Sequence, residues 1–305
     1  MQLSNRELAL VFKKQHEACL RYIHLFMNRM YHAIMFNGDE AKTVNEVSLK
    51  KLKQIEQAWM NAEKGACFKQ YNCDLDVHDT ATVEMQLKKH PVFNHPLFDY
   101  LNHEANLEDI RTFVLSESVL NLEFFDYLAL SIIGVSDEAK AEIIANLWDE
   151  AGRGNVQQFH TNLFRKLLTA LDLKYKRKMI IDHMSWEGLA GINLFSCFSL
   201  YAYNKTKYFG LLAATEMLDP FHYEKVINGM VRVFPRNALN HIYYIEHKSI
   251  DIEHANGWLS KIIIPELKKH PKKTKDFWLG FYLRLNSAQK YYDCLLQRFL
   301  TKQVA

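Results

Sequence analysis

Apolar side chains recur at every third or fourth position through most of the chain, the spacing of helices buried along one face. Ser4-Asn-Arg-Glu7 is a capping box, with a hydroxyl and a carboxylate placed to satisfy free backbone donors at a helix start. It predicts a helix running to about Phe36 and ending near Asn37-Gly38. Thr43-Val-Asn-Glu46 is a second box, and the helix it opens is expected to stop near Gly65. Residues 66–80 are polar and irregular, and a short helix over Ala81–Lys89 follows before Pro91 and Pro96 interrupt the chain. From Leu97 the segments become longer and more apolar. Helices are predicted at Leu107–Ile133, Asp137–Glu150, Val156–Leu171, Trp186–Leu218, Pro220–Val233, Arg236–Ile264 and Thr274–Thr301. Asp219 before Pro220 has the form of an N-cap followed by Pro at the first helical position, predicting a tight kink between two helices. His16, His24 and His32 read as ordinary amphipathic positions.

Composition agrees with an all-α protein. Of 305 residues 49% are apolar, while Gly (11) and Pro (6) are scarce, so a sizeable core is within reach. A net charge of +3 with the two signs interleaved gives no argument for nucleic acid. The densest basic run, Lys268 to Lys275, is either a solvated loop or a basic partner-binding face. The five cysteines are scattered with no CxxC, as expected of small core residues in a reducing compartment. No apolar h-region opens the chain and no apolar run approaches the ~18 residues of a membrane span. The expectation is a soluble, cytoplasmic protein.

Chemistry concentrates in His247-Lys-Ser-Ile-Asp251-Ile-Glu-His254, whose two imidazoles and one carboxylate share a helical stripe and suit a first-row transition metal. Other segments offer further ligands. Glu150 is followed by Gly152 and Gly154, which a helix interior carries only at about 1 kcal/mol each, and then by His160. The break they predict would let Glu150 and His160 converge. Glu216 lies among apolar residues, where a carboxylate is costly to bury unless paired or metal-bound. Gly210, Ala213 and Ala214 beside it allow close helix approach. Glu117 shares a stripe with Leu120, Asn121, Phe124 and Leu128 and is preferred to Glu123, which faces elsewhere on the same helix. Three Glu, one Asp and three His suit two metals sharing carboxylates, as bundle cores hold di-iron or di-manganese. A single 2-His-1-carboxylate site would use His247, Asp251 and His254 alone.

Glu117, Asn146-Leu-Trp-Asp-Glu150-Ala-Gly-x-Gly, His160-x-x-Leu-Phe164, Glu216 and His247-x-x-x-Asp251-x-x-His254 together resemble the haem-oxygenase-like di-iron oxidases and oxygenases, the iron-containing redox enzymes, over about Pro96 to Pro265. One branch of that family is related to a chlamydial death-domain-associating protein and makes para-aminobenzoate at the expense of its own side chain. The resemblance implies a seven-helix bundle like haem oxygenase but without haem, formed by residues 96–305. Residues 1–95 would be an N-terminal helical extension packed on that core. It implies seven metal ligands, Glu117, Glu150, His160, Glu216, His247, Asp251 and His254, holding two irons, with manganese as an alternative. O2 and a small amine, amino acid or fatty-acid-like substrate would meet there, for N-oxygenation, desaturation or oxidative C–C cleavage. An external electron donor and a homodimer are compatible with it. Asn121, Asp149, Tyr243 and Tyr244 are candidate partners of the ligand imidazoles. Phe124, Phe125, Tyr127, Phe195, Phe198 and Tyr201 would line a substrate pocket or simply fill the core. The competing expectation is a non-catalytic interaction or effector protein on the same scaffold. A haem site would instead need one axial His before a wide pocket.

Overall fold

The computed structural model describes residues 3–36, 39–234 and 242–303, and among them it contains helices and turns but no strand. Fourteen α-helices follow in chain order: α1 (Asn5–Lys14), α2 (Glu17–Met35), α3 (Glu46–Gln70), α4 (Thr80–Lys89), α5 (Pro96–His103), α6 (Leu107–Leu130), α7 (Asp137–Glu150), α8 (His160–Ala170), α9 (Arg177–His183), α10 (Trp186–Ser199), α11 (Lys205–Val233), α12 (Ile242–Gly257), α13 (Ile264–Lys269) and α14 (Thr274–Gln303). No helix among the described residues is long and apolar enough to cross a membrane.

Helix α11 is the axis of the bundle. Nearly every residue from Tyr208 to Leu218 is buried, because α5, α10, α12 and α14 pack around it. Its closest neighbour is α14, and the approach depends on glycine. A Cβ on Gly210 would lie 2.1 Å from the carbonyl oxygen of Phe277, and one on Gly280 would lie 1.8 Å from that of Lys207. The N-terminal helices join the same interior: α2 packs on α10, α3 on α14, and one hydrophobic cluster extends from Leu8 to Phe299.

Several boundaries differ from expectation. The first predicted helix is two, broken where Gln15 takes a left-handed φ of 50° and His16 becomes the N-cap of α2. Its predicted end at Asn37-Gly38 lies outside the described residues. The second capping box is formed by Asn45 and Ser48, not by Thr43 and Glu46, and α3 runs past Gly65 to Gln70 because burial of Cys67 outweighs the glycine's cost. Irregular chain therefore occupies only 71–79. Helix α6 ends at Leu130 rather than Ile133, and α8 begins at His160 rather than Val156. The break expected at Asp219-Pro220 falls instead at 200–204, where Asn204 donates its side-chain amide to the Cys197 carbonyl. Pro220 is carried inside a continuous α11. Asp219 caps nothing; it accepts from the Tyr223 hydroxyl at 3.4 Å and faces Arg284 at 3.8 Å. Of the helix predicted from Arg236, residues 236–241 lie outside the described residues, and after Gly257 the chain widens into a π-turn over Trp258–Ile263. Helices α5, α9 and α13 were not anticipated. The start of α5 was signalled all the same: His95 accepts the Leu97 amide ahead of Pro96 at the first position.

The eight-residue histidine spacing does not mark one face. His16 is exposed at a helix start, whereas His24 is fully buried beside Trp59 and Trp186. Burial pushes His24 down to about 3, and it does the same to His222, whose Nε2–H donates to the Val92 carbonyl at 3.1 Å and whose ring stacks on Phe98. Both are neutral when folded but charge near their ordinary value of 6.5 when unfolded. The unfolded chain then binds the extra protons, so stability falls as pH drops from about 6.5 toward 3, by about 2 kcal/mol per histidine at pH 5. In denaturant titrations at pH 7.5 and pH 5, His222→Gln, which keeps a donor for Val92, is expected to lose less on acidification than the wild type.

The basic run at 268–275 is partly spent on local ion pairs. Lys273 reaches Glu266 at 2.6 Å and Lys275 reaches Asp74 at 3.0 Å.

Candidate metal centre

Four helices deliver the candidate ligands. On α7, Ser136 caps the start by accepting the Ala139 amide, and the helix expires at Glu150. The next residues could not continue it. Gly152 has φ +60, and a Cβ there would lie 2.5 Å from the backbone of Gln158, so only glycine fits. Two short 3-10 turns reverse the chain and bring His160, the first residue of α8, back against Glu150. Its Nδ1 lies 2.8 Å from Glu150 Oε2. Helix α11 supplies Glu216 and α12 supplies His247, Asp251 and His254 from one stripe, at offsets of zero, four and seven.

These six side chains form two groups. In each, one ligand atom per residue lies within 4.8 Å of the others: Glu150, His160 and His247 in the first, Glu216, Asp251 and His254 in the second. All six are between 3% and 6% exposed. The groups adjoin, since Glu150 acts on both Glu216 and Asp251 across the gap. Glu117 is not brought into either group; it lies by Asp219 and Arg284. Glu123 is held by Arg177 and by the Tyr127 hydroxyl.

The imidazoles are oriented from behind. His247 Nδ1 lies 2.7 Å from the Tyr243 carbonyl, which can only accept, so Nδ1 carries the proton and Nε2 presents a lone pair toward Glu150, 3.8 Å away. Tyr243 is itself anchored, its hydroxyl donating to Asn121 Oδ1 at 2.7 Å. His254 is the reverse case: Nε2 faces Asp149 Oδ2 at 3.4 Å and Nδ1 faces Glu216 Oε2 at 3.6 Å. Of the anticipated partners, Asp149 and Tyr243 touch the imidazoles, Asn121 acts through Tyr243, and Tyr244 touches neither.

Three carboxylates buried together, with histidines and one another but no lysine or arginine among the main influences on them, are an electrostatic misfit. Burial, then Glu216 and Glu150, pushes Asp251 well above the carboxylate range. Burial raises Glu216 as well, against the pull of His254. Burial would also raise Glu150, but His160, His247 and His254 outweigh it and hold it low. Burial works against the charged form of His254, yet Glu216 and Glu150 win and raise it to about 9. His247 goes the other way, down to about 4, through burial and His160. Glu216 Oε1 and Asp251 Oδ1 have no hydrogen-bond partner. Two adjacent sets of buried, partly unpartnered oxygen and imidazole donors fit a pair of divalent transition-metal ions.

The sequence model of one family, described as iron-containing redox enzymes, matches residues 111–289. The chain belongs to that family. All six clustered residues fall within the matched span. An iron-containing redox enzyme is an oxidoreductase, and the carboxylate and histidine groups point to iron as the metal. Two crystal structures of a CADD-like protein of unknown function from Nostoc punctiforme superpose on the chain, each with a TM-score of 0.56. Their identities are 15% and 14%, over 78% and 80% of this chain and 98% of that one. At such identity the likeness speaks for the fold, an all-α haem-oxygenase-like bundle. No curated protein matches the chain significantly.

The anticipated pocket aromatics are engaged by neighbouring side chains, Phe125 by Phe159. Phe124 meets Phe195 edge-on, Tyr127 bonds Ser196 at 2.9 Å, Phe198 is buried in the core, and the Tyr201 hydroxyl donates to Glu56 at 3.1 Å. Phe195 also borders a small cavity beside Glu117.

Proposed function

We propose that Glu150, His160 and His247 hold one iron ion, that Glu216, Asp251 and His254 hold a second, and that the protein is an O2-dependent oxidoreductase acting on a small organic substrate. The carrying observation is the convergence of two buried ligand groups, each mixing imidazole and carboxylate, on adjacent points inside one family's matched span. When bound, the metal pair supplies the O2 activation and electron transfer that amino-acid side chains cannot perform. Manganese in one position uses the same donors.

The chain's own groups do the rest. The Tyr243 carbonyl fixes the tautomer of His247, and Asp149 holds His254 against rotation. The aromatic and aliphatic shell keeps water from the carboxylates, so their charge is felt at full strength. Family resemblance supplies the substrate range of amines, amino acids and fatty-acid-like molecules.

Anaerobic titration of metal-free protein with Fe(II) is the direct test. Two irons per chain and iron-dependent O2 uptake are expected; binding well below two, with no O2 uptake, overturns the reading. Asp149→Ala is expected to weaken iron binding by about 10–100-fold, the usual effect of losing a partner behind a ligand imidazole. Competition with a chelator measures it.

A further inference from the structure

Two cysteines meet where α3 gives way to irregular chain. Cys67 lies in the last turn of α3, and Tyr71 closes that helix by donating its amide to the Cys67 carbonyl at 2.9 Å. Asn72 then accepts the Asp74 amide at 3.1 Å, a local turn that sends the chain back toward α3. Cys73 sits inside that turn, and its sulfur lies 3.8 Å from the sulfur of Cys67, within hydrogen-bonding reach. Both residues are buried, at 1% and 3% exposure, and both are free thiols. A disulfide holds its sulfurs about 2 Å apart. Closing the gap asks for rotation of two short side chains, and Cys73 has no helical ladder to resist it.

The stretch that carries Cys73 is fastened to α14. Tyr71 stacks on Tyr282 with ring centres 4.0 Å apart and donates to Asn286 at 2.8 Å. Trp278 donates to the Leu75 carbonyl at 2.5 Å, and Lys275 pairs with Asp74 at 3.0 Å. Asn72, Asp74, Asp76 and His78 are exposed, so a local opening of this short stretch admits a molecule little larger than water while every helix stays folded. The surroundings also divide the work between the sulfurs. The hydrogen bond from Cys67 holds the Cys73 thiol below its ordinary value, against burial, and Lys275 adds to the effect. The same bond, with burial, pushes Cys67 up. Cys73 is thus the nucleophile and Cys67 the thiol that resolves it.

We propose that Cys67 and Cys73 form a reversible disulfide when the protein meets a peroxide, a redox-sensitive staple between α3 and the stretch held against α14. The Cys73 thiolate attacks one peroxide oxygen, the O–O bond breaks, and the departing hydroxide takes up a proton to leave as water. Cys73 is left as a sulfenic acid. The Cys67 sulfur then attacks the Cys73 sulfur, and the sulfenic hydroxyl leaves with the Cys67 proton as a second water. Two thiols and one peroxide give one disulfide and two waters; the sulfurs lose two electrons and the peroxide gains them. A small thiol reverses the step by exchange. No metal takes part, so the staple stands or falls apart from the function proposed above.

Peptide mass spectrometry tests it. The full chain, reduced and then freed of reductant in a chelating buffer, is treated with one equivalent of hydrogen peroxide and blocked with iodoacetamide in urea. Lys69 lies between the two cysteines, so trypsin places them on different peptides, 65–69 and 70–88. Those peptides are expected to appear joined, lighter than their sum by two hydrogens and parted again by dithiothreitol, while Cys19, Cys197 and Cys294 are alkylated. The oxidised protein should melt about 4 °C higher, since the bridge restricts the unfolded chain. Cys67→Ser keeps a donor for Cys73 but removes the resolving sulfur, and dimedone should then label Cys73. Cys73→Ser should leave Cys67 unlabelled. The wild-type result decides without either variant. Separate alkylated peptides after peroxide, or a bridge that forms only when urea precedes the peroxide, overturns the proposal. Equal labelling of the two variants overturns the division of roles, and a bridged protein that melts no higher overturns the staple.

Discussion

Asp251→Asn is expected to abolish iron-dependent O2 uptake and, in the absence of metal, to make the protein more stable. The two effects have one cause. Asp251 is buried with Glu216 and Glu150 near it, and its folded-state pKa stands well above the ordinary value of 3.8. A carboxyl raised in this way costs the folded state nothing at low pH. It costs more as pH climbs past the unfolded value toward the folded one. The amide keeps the shape and removes that cost, so Tm of the metal-free variant at pH 8 should exceed that of the wild type, by about 2–4 °C for each kcal/mol relieved. The same change removes an anionic donor. Iron affinity should fall by more than the ~10–100-fold typical of a lost outer partner. Thermal melts with and without Fe(II) read both effects. A variant less stable than the wild type in the absence of metal would contradict this account of the centre.

Gly210→Ala is expected to be among the most damaging single-atom additions in the chain. The new Cβ would sit 2.1 Å from the Phe277 carbonyl oxygen and 2.9 Å from the Phe281 amide nitrogen. These are backbone atoms of α14 and cannot swing aside, so α11 must retreat, taking Glu216 with it. The cost should reach the upper end of overpacking, about 3 kcal/mol, and iron stoichiometry should drop. Gly65→Ala is the control. It is helical and exposed, with nothing within 4 Å of the new Cβ, and should gain about 0.5–1 kcal/mol. Urea midpoints of the two variants should move in opposite directions.

What the sequence made legible follows from the range of the interactions involved. The His247, Asp251, His254 stripe is readable because a helix fixes those offsets locally, and the Glu150–His160 turn because Gly152 and Gly154 together mark a helix break. The α7 bounds fall where periodicity places them. The split at Gln15–His16 was not readable, since neither residue is a habitual breaker. The Asp219-Pro220 kink was over-read: the pattern of an N-cap is present, but Asp219 is engaged by Arg284 from α14, a partner 65 positions away. Glu117 lies by the same distant arginine and in neither ligand group. Its helical stripe indicated an inward face but not which inner compartment it enters. The continuity of α3 through Gly65 reflects packing that single-residue cost cannot foresee.

Pro220 has no N–H to offer the carbonyl of Glu216, four positions earlier in α11. The π-turn begins four positions after His254, and Glu150 is the final residue of its helix. Two of the six donors, Glu150 and Glu216, thus hang from stretches where the rod's own ladder of bonds is already incomplete, while Asp251 hangs from an unbroken one. Small torsional adjustments can lengthen or shorten the reach of Glu150 and Glu216 without undoing a turn or displacing a helix. The scaffold stays stiff, and the give it needs when charge at its centre changes is built in beside the acids themselves.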